Sequence, residues 1–184
     1  MGSSVIVTQR LEVVPATPEL TRAALDGPGA LGAGLGASVP STWPPEYLDR
    51  PSLEFTLDRL AESPGQAGWW LHFVVLTAAA ERTLIGSAGY KGPPAADGTV
   101  EVGYGIVSDH RRRGYASEVV RGLLARAFAL PQVTRAIAET LPELAPSIGV
   151  LRKCGFRPAG EGSEPGVIRF ELSRLEHARG ARHG

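Results

Sequence analysis

Apolar residues recur along the chain with two periods, and these periods divide it into strands and helices. Alternation is typical of a strand with one covered face, whereas a continuous apolar run is typical of a central strand covered on both faces. Trp69–Leu76, with the sequence WWLHFVVL, is such a run and predicts a strand in the middle of a sheet. Proline and glycine between residues 92 and 98 predict an antiparallel hairpin of the two flanking strands. The predicted strands cover residues 5–7 with 11–14, 69–76, 83–91, 99–107, 133–141 and 167–172.

Apolar residues spaced three and four apart predict helices. The helix predicted over residues 114–130 has one apolar face and must therefore lie on the sheet. That face consists of Val119, Val120, Leu123, Leu124, Ala127 and Phe128. Shorter helices are predicted over residues 18–25, 51–60 and 146–154. Residues 27–46 are rich in glycine and proline and predict a long loop.

This order of elements predicts one α/β (α+β) domain over residues 1–175. We expect a mixed, mostly antiparallel sheet with helices on both faces. A chain of 184 residues with 43% hydrophobic content can bury one core without metals or disulfides. The tail at residues 176–184, EHARGARHG, is expected to be frayed.

The composition narrows the possible functions. Lys+Arg and Asp+Glu both number 19, so no net charge attracts the chain to nucleic acid or to an anionic membrane. Cys154 is the single cysteine, which excludes an internal disulfide and a cysteine-rich metal site and favours a reducing compartment. No apolar run approaches the roughly 20 residues of a membrane span, and residues 1–4 lack the cationic start of a secretory signal. We therefore expect a cytoplasmic protein whose specificity comes from a local site.

The segment from residue 101 to residue 120, EVGYGIVSDHRRRGYASEVV, joins a strand to the long helix through a turn of cations and small residues. The small residues leave main-chain N–H groups open to a ligand, and the helix begins with its positive end at the same point. The arginines Arg111, Arg112 and Arg113 add charge-assisted contacts. The pattern predicts a phosphate site, and a solvated basic loop is the alternative.

Two glycines mark one face of the strand predicted over residues 99–107. Alternation places Val100, Val102, Tyr104 and Ile106 on one face of this strand. On the other face, Glu101 borders Gly103 and Gly105. Glycine inside a strand suggests close approach of a ligand or of another backbone, whereas packing against a helix is the alternative.

Four segments of the chain resemble the GNAT N-acetyltransferase superfamily. Val107–Ala116, with the pattern V-x-x-x-R-R-x-G-Y-A, is similar to its acetyl-CoA motif R/Q-x-x-G-x-G/A. Residues 8–11 (TQRL), 84–86 (LIG) and 147–156 (SIGVLRKCGF) resemble, in the expected order, the Rim-type branch, which acetylates protein N-termini and small amines. The resemblance spans nearly the whole chain, and the combination is more specific than any one motif.

The resemblance implies a single-domain GNAT-like fold with a splayed parallel strand pair and acetyl-CoA as cosubstrate, without a metal. The strand that ends at Val107 is expected to bind the pantetheine arm through its backbone, and the main-chain amides of residues 112–117 to bind the pyrophosphate. The implied cofactor-binding residues are Ile106, Val107, Arg111, Arg112, Arg113, Gly114, Tyr115, Ala116 and Ser117.

Acetyl transfer to an amine requires a neutral amine, a polarised thioester carbonyl and a proton for the leaving thiolate. Glu101, acting through a water, is the predicted base, and Glu139 is the second choice. The alternative for Glu101 is a sheet-surface glutamate paired with an arginine. The backbone N–H of Val107, or of a neighbour, is expected to polarise the carbonyl.

The predicted acid is Ser147, for which an N-cap without chemistry is the alternative. The chain has Leu151 where many superfamily members have a tyrosine, and Leu144 where Rim-type members often have an asparagine. His72 is expected in the core and His110 in solvent, and Cys154 is interpreted as core packing.

The function expected from this resemblance is transfer of an acetyl group to a primary amine, on a protein N-terminus or a small molecule, by direct attack. A non-catalytic acyl-CoA-binding module, suggested by Leu144 and Leu151, is the alternative. A nucleic-acid-binding domain that uses the arginine run is a third hypothesis, against which the neutral net charge argues. The acceptor is expected to be chosen by loops such as residues 27–48, and a homodimer is a family expectation.

Overall fold

The computed structural model describes residues 4–180, which form one sheet and six α-helices. The strands are β1 Ile6–Val7, β2 Leu11–Pro15, β3 Leu71–Leu76, β4 Thr83–Tyr90, β5 Thr99–Ile106, β6 Arg135–Thr140, β7 Arg157–Glu161 and β8 Ile168–Ser173. The helices are α1 Pro18–Asp26, α2 Pro28–Leu35, α3 Arg50–Glu62, α4 Tyr115–Phe128, α5 Ala145–Lys153 and α6 Arg174–Gly180. Short 3-10 helices cover Pro64–Trp69 and Ser108–His110.

The sheet has the strand order β1-β2-β3-β4-β5-β6-β8-β7. Its neighbouring strands are antiparallel, except that β5 and β6 are parallel. This parallel pairing ends at Glu101 and Ile137, although β5 continues to Ile106 and β6 to Thr140. The two strands therefore separate and leave a wedge, the β5–β6 gap, between residues 102–106 and 138–140. The predicted mixed sheet and splayed pair are confirmed.

Helices cover both faces of the sheet, as predicted. The apolar face of α4 packs on one side, where Val119, Val120, Leu123 and Leu124 are fully buried. On the other side α1, α2 and α3 cover Phe73, Val75 and Leu84. The central strand β3 is buried on both faces, since Phe73 and Val74 both have 0% exposure.

The prediction of a continuous loop over residues 27–46 is wrong, because residues 28–35 form α2. Leu31 and Leu35 of this helix are buried in the second core cluster. A Cβ added at Gly32 would lie 2.9 Å from the carbonyl oxygen of Ala37, and one added at Gly34 would lie 3.0 Å from the side chain of Leu20. Glycine thus allows α2 to pack closely, and this burial outweighs its low helix propensity.

The structure also corrects the predictions for both ends of the chain. The segments 5–7 and 11–14 are two antiparallel strands, β1 and β2, and not one strand. Strand β7 was not predicted, since RPAGE is exposed throughout and has no apolar alternation. Residues 174–180, which include the start of the tail expected to be frayed, form α6, while 181–184 and 1–3 lie outside the described residues. Within residues 4–180 no helix has the length and apolar character that crossing a bilayer requires.

Candidate active site

The turn between β5 and α4, residues 111–114, presents main-chain amides at the mouth of the β5–β6 gap; we call it the arginine turn. Arg112 (φ 60°) and Gly114 (φ 82°) have left-handed backbones, and no side chain caps α4 at Gly114. The first helical bond runs from the N–H of Glu118 to the carbonyl of Gly114 at 3.1 Å. The amides of Tyr115, Ala116 and Ser117 precede that bond and so have no intrahelical acceptor. They and the helix dipole favour an anion at this point.

A hydrogen-bond network from the turn of the N-terminal hairpin, which consists of β1 and β2, holds the arginine turn in place. Glu118 accepts hydrogen bonds from the Thr8 hydroxyl at 2.6 Å, from the Arg10 backbone N–H at 2.7 Å and from Arg10 Nε at 2.7 Å. Arg10 Nη1 also donates to the carbonyl of Arg113 at 3.1 Å, and its guanidinium lies 4.5 Å from the ring centre of Tyr115. Burial raises the pKa of Glu118, but the hydrogen bonds from Thr8 and Arg10 outweigh it, so the net pKa is lowered. Thr8 and Arg10 of the TQRL segment therefore act structurally.

A cleft of about 630 Å³ lies beside this network and the start of α4. Its lining includes the cations Arg10, Arg121 and Lys153 together with Gly114 and Ser117. Glu118 also lines the cleft and pairs with Arg10 at 2.7 Å, so Arg121 and Lys153 leave the cleft beside the start of α4 with a positive excess that suits a polyanionic ligand.

Arg111 is engaged with the protein and not with the open side of the turn. Its Nε donates to the carbonyl of Ile106 at 2.9 Å, and its Nη2 lies 3.3 Å from Glu46 Oε1. Thr42 donates to Asp109 across the same junction at 3.4 Å. The segment 42–46, part of the predicted acceptor loop, is thereby attached to the end of β5. Arg112 and Arg113 are the turn arginines whose side chains remain exposed without such a tie.

The two glycines of β5 differ in what lies over them. The pairing of residues 102–106 with 86–90 is continuous, so the predicted alternation of faces is correct. At Gly105 an added Cβ would lie 3.2 Å from Pro45 Cβ, and at Gly103 it would meet no atom within 4 Å. Gly105 therefore accommodates the loop, while Gly103 leaves the sheet surface open next to Glu101. Binding of a ligand at Gly103 stays a prediction.

The backbone of β5 presents alternate N–H groups to β4 and to the gap. The prediction that the Val107 N–H polarises a carbonyl is wrong, since this group donates to the carbonyl of Ile85 at 2.9 Å. The carbonyl of Glu101 likewise accepts from the N–H of Lys91 at 3.0 Å, on the β4 side. Residues an even number of positions apart share a direction in a strand, so the N–H groups of Tyr104 and Ile106 are directed to the gap. Ile106 is the neighbour that can serve.

Glu101 lies on the open face of β5, and its side chain is 22% exposed. Its Oε1 is 2.5 Å from Lys91 Nζ, so the alternative of a pairing with arginine is replaced by one with lysine. Lys91 itself is 64% exposed. The partner can therefore move away without any change in the core, and the assignment of Glu101 as a base stays a prediction.

Glu139 is poorly suited to be a base. Its Oε1 accepts from Arg169 Nη2 at 2.7 Å and from the Ser163 N–H at 2.9 Å, and its Oε2 accepts from the Ser163 hydroxyl at 2.6 Å. Burial raises the pKa of this carboxyl, but the hydrogen bonds from Ser163 and Arg169 outweigh it and the net pKa is lowered. A carboxylate whose two oxygens both accept hydrogen bonds and whose pKa is lowered accepts a proton weakly.

Ser147 lies in the first turn of α5 and is not its N-cap, which corrects the alternative given to it. The N-cap position is Leu144, which makes no side-chain hydrogen bond to the helix. The Ser147 hydroxyl lies 3.3 Å from the hydroxyl of Tyr104, across the β5–β6 gap. Alternation placed Tyr104 on the correct face of β5, but nothing in the sequence indicated that its hydroxyl would reach α5.

The remaining candidates lie in or near the core. His72 is fully buried and donates from Nδ1 to the carbonyl of Trp70 at 3.0 Å, and burial lowers its pKa to about 4. Cys154 is buried, and burial raises the pKa of its thiol to about 11, which makes it a poor nucleophile. His110 is half-buried and not fully solvated, and burial lowers its pKa.

Comparisons with known proteins agree with this geometry. A family model described as Acetyltransferase (GNAT) domain matches residues 37–157. The uncharacterized N-acetyltransferase p20 of Bacillus licheniformis is 30% identical over 103 residues, covering 52% of this chain and 58% of that protein. The chain thus spans little more than half the length of this curated relative.

Solved structures share the fold, and two of them illustrate the likeness. The ribosomal-protein-S5-alanine acetyltransferase from Vibrio fischeri is 16% identical with a TM-score of 0.64, over 93% of this chain and 97% of that one. RimL, a ribosomal L7/L12 alpha-N-protein acetyltransferase in complex with coenzyme A, is 15% identical with a TM-score of 0.63, over 92% of this chain and 98% of that one. At these identities the likeness establishes the fold.

Proposed function

This chain belongs to the acetyltransferase (GNAT) family, and on that premise we propose that it transfers the acetyl group of acetyl-CoA to a primary amine by direct attack. The observation that carries the proposal is the β5–β6 gap, which opens onto the uncapped amino end of α4. A splayed strand pair offers backbone groups to an extended arm, and a helix start offers amides to a diphosphate. The gap lies beside the last residues of β5, and α4 begins after the turn that follows β5, so one extended ligand can reach both.

We propose that the cosubstrate extends from the arginine turn into the β5–β6 gap. The amides of Tyr115, Ala116 and Ser117 would bind the diphosphate, and the exposed side chains of Arg112 and Arg113 would add charge-assisted contacts. The pantetheine arm would then run beside β5, whose N–H groups at Tyr104 and Ile106 are directed to the gap. Arg111 would contribute by fixing the carbonyl of Ile106 and the loop at Glu46.

The chemistry requires one base, one carbonyl donor and one acid. Glu101, through a water, would take the proton of the amine, while Gly103 leaves room for the acceptor on the same face. The N–H of Ile106 would stabilise the oxyanion. When the C–S bond breaks, the electron pair goes to sulfur, and Ser147 would supply the proton. Holding the amine against the thioester provides further acceleration.

We propose a peptide N-terminus or a small primary amine as the acceptor. The motifs of residues 8–11 and 147–156 resemble the Rim-type branch, and two proteins with this fold carry ribosomal-protein acetyltransferase names. The acceptor would enter over Gly103, past the loop that ends in Pro45 and Glu46. A cytoplasmic location and a homodimer remain predictions.

The test is incubation of the purified chain with acetyl-CoA and separate panels of N-terminal peptides, aliphatic amines and arylamines. Release of free thiol and the acetylated product are both measured. Turnover with at least one panel is the expected result. Binding of acetyl-CoA without turnover in any panel would instead identify a non-catalytic acyl-CoA-binding module, and absence of binding would reject the proposal.

A further inference from the structure

The hydroxyl of Tyr104 connects β5 to α5 at the point where the two halves of the sheet separate. It donates to the carbonyl oxygen of Ser147 at 3.2 Å, and it lies 3.3 Å from Ser147 Oγ, a contact in which either hydroxyl can be the donor. The ring packs against the main core cluster, so the hydroxyl is held by a rigid anchor. Tyr104, a residue of β5, thus contacts the predicted acid Ser147 on α5.

A serine in the first turn of a helix has several hydrogen-bonding choices. Its hydroxyl can donate back to a carbonyl three or four residues earlier, here that of Leu144 or Glu143, and would then be turned away from the gap. The single phenolic hydrogen of Tyr104 can be directed to the Ser147 carbonyl oxygen or to Ser147 Oγ. When it is directed to Oγ, the hydrogen of Ser147 is free to point to a third atom. The chain of two hydroxyls is also polarised cooperatively in the direction of that atom.

We propose that Tyr104 is a positioning residue that directs the Ser147 hydroxyl to the thioester sulfur and replaces the proton that Ser147 gives up. This inference rests on the proposed function. As the C–S bond breaks, sulfur takes the electron pair and the Ser147 proton, Ser147 takes the phenolic proton of Tyr104, and solvent returns a proton to the phenolate. Burial raises the pKa of Tyr104 to about 12, so the donor remains protonated through the neutral range.

The chain contains a matched control for this role. Tyr90 on the neighbouring strand β4 is buried whereas Tyr104 is half-buried, but burial raises its pKa to about 12 as well, and its hydroxyl donates to the carbonyl of Leu123 at 2.7 Å. That bond lies in the core under α4 and away from Ser147. Loss of the Tyr90 hydroxyl removes a buried hydrogen bond from the same sheet without touching the predicted acid.

The experiment compares Tyr104→Phe, Tyr90→Phe, Ser147→Ala and the Tyr104→Phe/Ser147→Ala pair. We expect Tyr104→Phe to lower kcat about tenfold or more, with KM for acetyl-CoA changed less than about twofold. It should cause no further loss in the Ser147→Ala background, because its effect passes through Ser147. Tyr90→Phe should lower the melting temperature and leave kcat unchanged.

Two results would overturn the inference while the proposed function stands. One is a Tyr104→Phe variant with wild-type kcat. The other is a Tyr104→Phe/Ser147→Ala variant whose kcat is lowered by the product of the two factors found for the single variants. Absence of turnover in the wild-type chain is a different failure, which removes the proposed function and the inference together.

Discussion

Glu101 is a residue on which two demands conflict. Its carboxylate forms an ion pair with Lys91 at 2.5 Å, whereas the proposed reaction requires that carboxylate to accept a proton from the amine. The 64% exposure of Lys91 resolves the conflict, because this long side chain can turn into solvent and leave the carboxylate of Glu101 free. An approaching ammonium group would also compete with Lys91 for the same carboxylate oxygen.

Glu101→Gln is therefore expected to lower kcat/KM by about 10² to 10⁴ at neutral pH, since loss of a general base has effects of this size. The deficit should shrink as pH rises, because free amine then forms without the enzyme. Acetyl-CoA affinity should not change. The control is Glu171→Gln, because Glu171 on β8 also pairs with a cation, Arg135 on β6, at 3.5 Å. Equal activity of both variants across the pH range would exclude Glu101 as the base.

His72 makes stability depend on pH through burial. Its pKa is lowered to about 4 from a usual value of 6.5, by burial first and by the charge of Arg126 in addition. The folded state thus favours the neutral ring. The stabilisation is complete above pH 6.5, where the unfolded chain is also neutral, and is lost as pH falls through the folded pKa.

Urea unfolding at pH 7.5 and pH 5 should measure this effect. We expect His72 to account for about 2 kcal/mol of the loss in unfolding free energy between these pH values. His72→Gln should be less stable at pH 7.5 and should lose correspondingly less on acidification. The carboxylates whose pKa is lowered, such as Glu118 and Glu139, titrate mainly below this window. Identical pH dependence in both proteins would contradict the assignment.

At the scale of elements, the N-terminal hairpin and α4 form one unit around Glu118. Charge-assisted hydrogen bonds contribute about 1.5–3 kcal/mol each, and Glu118 accepts three from Thr8 and Arg10. Arg10 transmits this order to the carbonyl of Arg113 and to the ring of Tyr115. This network therefore holds the amides of the arginine turn in position before any ligand is bound.

Arg10→Ala is expected to raise the KM for acetyl-CoA about tenfold and to leave kcat at saturation nearly unchanged, because the turn is loosened and the reacting groups are not. The control is Arg82→Ala, which breaks the 2.8 Å pair with Glu12 on β2, the strand that begins directly after Arg10, at a point away from the turn. Initial rates at varied acetyl-CoA distinguish the two. A lowered kcat with constant KM would show that Arg10 does not act through the turn.

The elements that the sequence predicted are those with strong local signals. Helix α4 has a long apolar face, and the β4–β5 hairpin is bounded by glycine and proline. Helix α2 and strand β7 were missed because PGALGAGL and RPAGE have low intrinsic propensity. Burial of Leu31 and Leu35 selects the conformation of α2, and pairing with β8 selects that of β7. Local sequence does not encode such packing.

The site shows the same division. The order of motifs predicted the arginine turn and the face of Glu101, since both depend on neighbours in sequence. The contacts of Arg111 with Glu46 and of Tyr104 with Ser147 join residues 65 and 43 positions apart, and one sequence carries no signal for them. The prediction that the Val107 N–H polarises the carbonyl was wrong for a related reason, because the direction of this N–H depends on the pairing with β4.

For the whole molecule, the β5–β6 gap divides one sheet into two parts. Strands β1 to β5 form one part and β6 to β8 the other, and the pairing between them covers Thr99–Glu101 and Arg135–Ile137. A ligand that occupies the gap would contact both parts and bind the folded state only. It should therefore stabilise the whole domain by mass action.

Acetyl-CoA at about 100 times its Kd is expected to add about 2.7 kcal/mol, which raises Tm by roughly 5–10 °C for a domain of this size. Reversal of both exposed charges, Arg112→Glu with Arg113→Glu, should leave the ligand-free Tm unchanged and reduce the shift by more than half at the same concentration. Arg22→Glu, an exposed reversal on α1, should retain the full shift. If the double variant kept the wild-type shift, the diphosphate could not lie on the arginine turn, because two reversed charges beside it would necessarily weaken its binding.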